Sequence, residues 1–507
     1  MSRPDTLVFL ASHELRLGWR DWLSLMTAGR RTRARTVTVA LILFAIFMHA
    51  LAYSMVARYA QAVPDKATLV VVTGCSLLSF SLLLSQAMES VTRAFYTRAD
   101  LDLILASPVS ARKVFSIRIA RIAVSVALIA MLLAAPFINV LAMLDGPRWL
   151  AAYGIVAAMG ATSAAFAVAL TIALFRTIGP KRTRLVAQIV AAVIGASFVI
   201  GLQVAAILTY GNLSRFSALQ SEWLMAHAPD AGSSLWWPAR AVLGDAGALV
   251  VVLGLSLALL GLAIAIFSGR FGEHATAAAG VSSTRISQTR PQGFRRRSPG
   301  SVLRHKEWTL LARDPWLVSQ TLMQILYLLP PALMLWLSFR DGGIALVVMV
   351  PVLVMAAGQL AGGLAWLSIS GEDAPDLVVT APITARRIVV AKIEAVMGMI
   401  ALVFAPLVLA LAFASAEGAV ICAAGILIAA ASATLIQLCF RVQARRNQFR
   451  RRQTSSRIAT FAEAFSSIAW AATAALAASE SWLALFPAII AIFILGGVRL
   501  IGPKSQT

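Results

Sequence analysis

Two stretches of this sequence set an acid and a basic pair at the same spacing. Asp102 is followed by Leu-Ile-Leu-Ala-Ser-Pro-Val-Ser-Ala and then Arg112-Lys113. Asp376 is followed by Leu-Val-Val-Thr-Ala-Pro-Ile-Thr-Ala and then Arg386-Arg387. Side chains of these types form ion pairs and charge-assisted hydrogen bonds. Each stretch reads as a short helix broken at Ser107-Pro108 or Ala381-Pro382, then restarted by Ser110 or Thr384 as N-cap ahead of the basic pair. Pro108 and Pro382 set the bend of a helical elbow that the chain contains twice.

Equipment for bond making is missing. The sequence has no GxxxxGK[ST] phosphate loop, no HExxH and no GxSxG elbow. The histidines His13, His49, His227, His274 and His305 have no ligand spacing, and Cys75, Cys422 and Cys439 lie in apolar runs without a pairing pattern. No catalytic residue, metal site or cofactor site is expected.

Composition sets the elements that must carry the elbows. Of 507 residues, 59% are hydrophobic and 13% charged, about half the charge that a soluble surface carries. The chain reads as an all-α polytopic membrane protein. Twelve stretches approach the roughly 20 apolar residues that a helix needs to cross a bilayer. Six fall near 36–56, 68–88, 122–144, 149–175, 185–209 and 246–267, and six near 322–339, 344–368, 395–416, 418–440, 458–478 and 482–498. With a cytoplasmic N-terminus, only Arg58, Lys66, Arg148, Arg215, Arg240 and Arg340 of the 44 Lys and Arg fall outside. Charge asymmetry of this kind places both termini in the cytoplasm. It also accounts for the net charge of +22 through topology and attraction to anionic membrane lipid, so nucleic acid is not expected as a partner.

An even number of spans per half makes the halves parallel six-helix repeats. The expected organisation is a first half over 1–267, a basic Ser/Thr/Gly/Arg-rich linker over 268–300 and a second half over 301–507. Each half opens with an amphipathic segment before its first span. Glu14, Leu17, Arg20 and Asp21 share a face in one, and Glu307, Leu310, Arg313 and Asp314 in the other, with Trp19, Trp22, Trp308 and Trp316 available for the headgroup layer. Basic loops follow the fourth span of each half, at Arg176 to Arg184 and Arg441 to Arg452. The external loop over 210–244, with Trp223, Trp236, Trp237 and Pro238, is expected to fold back onto the outer layer. Within the spans as drawn the one charged residue is Glu463, near Arg457, which reads either as a functional site or as a snorkelling or capping group. His49, Gln188, Gln437 and the other polar span residues read as glue between helices.

A polar helix before the first span, six spans, and an acid-leucine-Ser/Ala-Pro-x-Ser/Thr-x-Arg elbow between the second and third resemble the permease subunits of type-2 ATP-binding cassette exporters. The chain is similar to two such permeases fused in tandem, over nearly its full length. The resemblance implies that Asp102, Pro108, Arg112 and Lys113, with Asp376, Pro382, Arg386 and Arg387, form two coupling elements that dock on a separate ATPase subunit. It implies that the helices holding Glu14, Arg20, Glu307 and Arg313 are connecting helices, and that ATP is bound by the partner chain, not by this one. It implies a bacterial-type inner (plasma) membrane. The second half departs from the pattern, leaving only Ser479 to Ser481 where an external folded-back segment is expected. Two other readings stand beside it. A twelve-span secondary transporter would want buried titratable groups near the midplane, and a non-transporting scaffold would need no ATPase.

Overall fold

The computed structural model describes residues 34–96, 110–210, 222–269, 298–313, 346–370, 380–439 and 457–501, with isolated positions elsewhere. Among these residues all regular structure is helical. The chain divides into two compact units, Met1–Ser287 and Gln288–Thr507.

The first unit holds α1 (Ala34–Val56), α2 (Lys66–Tyr96), α3 (Ala111–Asp145), α4 (Ala151–Tyr210), the short α5 (Glu222–His227) and α6 (Trp237–Val242), and α7 (Ala246–Ser268). Helix α4 is two limbs joined at Gly179, whose φ of 74° is open to glycine at little cost. Pro180 follows, a residue suited to a first helical turn, so the basic segment Arg176 to Arg184 is a sharp corner. The core gathers Met88, Val91 and Phe95 of α2, Phe115 and Ile119 of α3, and an alanine-rich face of α4. Small side chains let these helices approach closely, which is how apolar helices gain contact when lipid offers no hydrophobic drive. Phe95 anchors one end of this cluster, its ring centroid 6.2 Å from that of Phe115 and 5.2 Å from that of Phe175.

At the opposite end, α5, a 3₁₀ turn (Ser234–Trp236) and α6 pack back on α2 and α4. Trp236 is buried with Leu69, Trp149 and Leu243, and its indole N–H donates to the Pro229 and Asp230 carbonyls at 3.3 and 3.1 Å. Trp223 is exposed. The tryptophans of the 210–244 segment therefore divide between a structural plug and an exposed position.

The second unit holds α8 (Pro299–Arg313), α9 (Leu346–Ser370), α10 (Ala385–Ala414), α11 (Ala416–Cys439), α12 (Arg457–Ala478) and α13 (Leu485–Ile501). Helix α9 is central, packed on α11 and α12 through Leu353, Val354, Ala357 and Ala361. Gly362 makes one close approach possible, since a methyl group there would overlap the Glu463 carboxyl carbon.

Ten helices among the described residues are long and apolar enough to cross a membrane, and Ile42–Val56 adds a shorter apolar stretch. The chain is a multi-pass integral membrane protein. Of the twelve expected spans, that near 322–339 lies almost wholly outside the described residues. The span expected at 395–416 starts ten residues earlier, because α10 runs unbroken from Ala385. Lys392 and Glu394 thus belong to a long helix.

Candidate coupling site

The second elbow is described from Thr380 onward. Residues 381–383 form a tight bend in which the Ile383 N–H donates to the Ala381 carbonyl at 2.7 Å. Pro382 is exposed there, where its missing N–H costs nothing. Thr384 has extended backbone (φ −66°, ψ 137°) and its carbonyl accepts from the N–H groups of Arg387 at 2.9 Å and Ile388 at 3.4 Å. Ser110 does the same before α3, with φ −63°, ψ 133° and bonds from Lys113 at 3.0 Å and Val114 at 3.3 Å. Both residues sit where N-caps were expected, but neither hydroxyl makes a capping bond. The backbone carbonyl starts each helix, and the side chain is dispensable for it.

Arg386 and Arg387 are exposed at the start of α10, and their side chains make no hydrogen bond or ion pair among the described residues. Arg112, the corresponding residue of the first unit, donates from Nε to Ser268 Oγ at 3.1 Å, tying α3 to the end of α7. Lys113 is half-buried. Asp102, Pro108, Asp376, Glu14 and Arg20 lie outside the described residues, and Arg313 is the last residue of α8.

Glu307 is not a surface group. It has 0% exposure, on the face of α8 that also buries Leu303 and Leu311, four residues to either side. The buried leucine is therefore Leu311, where the sequence reading favoured Leu310. Trp308 packs against Gly398 of α10 rather than standing free for headgroups. Lys392, 9% exposed, reaches across from α10 and donates to both Glu307 oxygens at 3.1 Å. It also donates to the Ser368 carbonyl at the end of α9. Lys306 adds a contact to Glu307 Oε1 at 3.3 Å. One buried ion pair thus joins three helices beside the elbow. A buried pair is a poor source of net stability but a strong constraint on geometry, since removing either member strands the other's charge.

The first unit has a related bond. Arg118 Nη1 donates to the Ala94 carbonyl at 3.4 Å, with a separation of 24 residues, the same separation as Lys392 and Ser368. Alignment of the two elbow sequences pairs Arg118 with Lys392, and third spans expected from 122 and 395 begin after both residues. The usable signal was a basic residue at the same place after each elbow.

The match to known families bears on this arrangement. Residues 34–323, more than half of the chain, match the family model described as "Putative ABC exporter". The chain belongs to this family. Membership implies, in general, an ATPase subunit as partner. No curated protein and no solved structure matches the chain.

Two further features lie among the described helices. The first unit contains an open apolar cleft of about 1730 Å³ between α1, α2, α3 and the start of α4, lined by residues such as Tyr53, Val72, Phe137, Trp149 and Met159. Its described lining carries no charged side chain. Beside it His49 Nε2 lies 3.2 Å from Asn139 Nδ2, and Asn139 Oδ1 accepts from the Tyr153 hydroxyl at 2.8 Å, so a polar chain holds α1, α3 and α4 together. In the second unit Gln437 Nε2 donates to Glu463 Oε2 at 2.5 Å. Glu463 joins α11 and α12 across the bare backbone of α9.

Proposed function

We propose that this exporter-family chain is the permease component of an ATP-binding cassette exporter, with a separate ATPase docking on the two elbows. The observation that carries the reading is the second elbow. Two arginines whose side chains have no partner among the described residues stand at the head of a helix that a buried ion pair locks to the pre-span helix. A push on Arg386 or Arg387 from a partner is then delivered to α8 and α9 together, because Lys392 cannot move without Glu307 and Ser368. The matching bond of Arg118 supports a tandem arrangement of two type-2 permease halves, each entering the membrane from the cytoplasm, twelve spans in all, in a bacterial-type inner membrane. ATP is held by the partner, and this chain performs no hydrolysis. The uncharged cleft of the first unit favours an apolar or amphipathic cargo.

The test is affinity co-purification from native membranes with an ATPase assay on the recovered material. The native chain is expected to bring down an ATP-hydrolysing subunit. An Arg386→Glu/Arg387→Glu variant, inserted and as thermostable as the native chain, is expected to lose it. Failure to recover such a subunit even after crosslinking would remove the reading.

A further inference from the structure

The start of α10 and the start of α8 line a second, open cavity of about 560 Å³. Its described lining includes Arg304, Arg386 and Arg387 against the single acid Glu394. Glu394 is only loosely engaged, its Oε2 lying 3.7 Å from Arg304 Nη1 with both side chains about half exposed. Arg386 and Arg387 have no partner among the described residues. The cavity therefore holds an excess of guanidinium groups, whose planar forks suit the oxygens of a phosphate ester.

The length of α10 sets the depth of this cavity. Thirty residues rise about 45 Å, against a hydrocarbon core of about 30 Å. The last turn, Leu411 to Ala414, is apolar and without a basic residue, so the excess belongs to the first ten residues. These contain Arg386, Arg387 and Glu394. The cavity then runs from Arg386 and Arg387 on the water side down to Glu394 at the edge of the hydrocarbon core, and Val390, an exposed apolar side chain on its wall, lies about 8 Å outside that edge, at the headgroup level.

We infer that this cavity binds the headgroup of an anionic phospholipid of the cytoplasmic leaflet, its phosphate held by Arg304 and Arg387. The cytoplasmic placement rests on the proposed function. A lipid seated there links α8 to α10 at the elbow, outside the buried Glu307 to Lys392 pair.

The full chain, delipidated in detergent and titrated with phosphatidylglycerol or phosphatidylcholine, tests this by native mass spectrometry of bound lipid. Phosphatidylglycerol is expected to bind preferentially. Arg304→Ala/Arg387→Ala is expected to weaken it about 25-fold, each surface arginine contributing roughly fivefold. Glu394→Gln, which releases Arg304, is expected to tighten it, so the inference remains testable if the arginine variant folds poorly. Arg182→Ala/Arg184→Ala, at the basic corner of α4 in the first unit and not among the residues lining the cavity, is expected to change nothing. An equal loss in that control would mean diffuse attraction and overturn the site. So would unchanged binding in both cavity variants, or full competition by equimolar glycerol phosphate, which has no acyl chains. Recovery of the ATPase subunit with the same variants is scored separately, so the lipid site and the exporter reading fail by different observations.

Discussion

Lys392→Met is the sharpest perturbation of the second unit. The substitution leaves Glu307, at 0% exposure, with Lys306 at 3.3 Å as its remaining cation. It also takes a donor from the Ser368 carbonyl. Breaking a buried pair costs about 3 to 5 kcal/mol, and the surviving Lys306 contact favours the lower end, about 3 kcal/mol. In a unit the size of Gln288–Thr507 this corresponds to a fall in Tm of about 6 to 12 °C. Glu307→Gln retains a hydrogen-bond acceptor for Lys392 and is expected to cost less. The double variant strands neither charge, so it should be more stable than Lys392→Met alone. Lys392→Arg should come nearest to the native protein, since the first unit uses Arg118 for its corresponding bond. The assay is thermal unfolding in detergent followed by tryptophan fluorescence. A Tm change under 2 °C for Lys392→Met, or a double variant whose loss equals the sum of the singles, would refute a coupled ion pair.

Two local predictions follow from the packing and the capping. Gly362→Ala places a methyl on the Glu463 carboxyl and is expected to destabilise by about 1 to 3 kcal/mol. Adding Glu463→Ala should restore part of that loss in the same Tm assay, whereas no restoration would show that Gly362 is needed for another contact. Asp65 accepts from the Thr68 N–H at 2.9 Å at the start of α2, and its bonds with Thr68, chiefly to the side chain and then to the backbone, hold its carboxyl below the usual range. Its stabilisation is present above the unfolded carboxyl pKa and is lost as pH falls through the lower, folded value. Hydrogen exchange of the first α2 amides, corrected for intrinsic rate, should show protection dropping with acid. Asp65→Asn should flatten that dependence, and an unchanged acid response in this variant would assign it to another group.

The membrane character of the chain, its described helices and the bend at the second elbow are legible from local composition. A span is a sum over about 20 neighbouring residues, and Pro382 before Thr384 breaks a helix by its own covalent geometry. Helix ends were less legible where charge enters a long helix. Hydropathy stops at Lys392 and Glu394, while the backbone of α10 continues through them because Lys392 finds partners in Glu307 and Ser368. The same limit hid the roles of Trp236 and Trp308, which composition assigns to an interface and packing buries or half-buries.

The sequence by itself determined an integral membrane chain, helical over its described residues, with a helix break at Pro382, because hydropathy, proline and charge act over short stretches of backbone. Tertiary structure alone decided what the polar groups do. Glu307 and Lys392 are 85 residues apart, Gln437 and Glu463 26, and Arg112 and Ser268 156. Each pair meets only when the rotation and depth of separate helices agree. Those quantities come from packing of the apolar faces, of alanine on alanine and carboxylate on bare glycine, and no single stretch of sequence contains them.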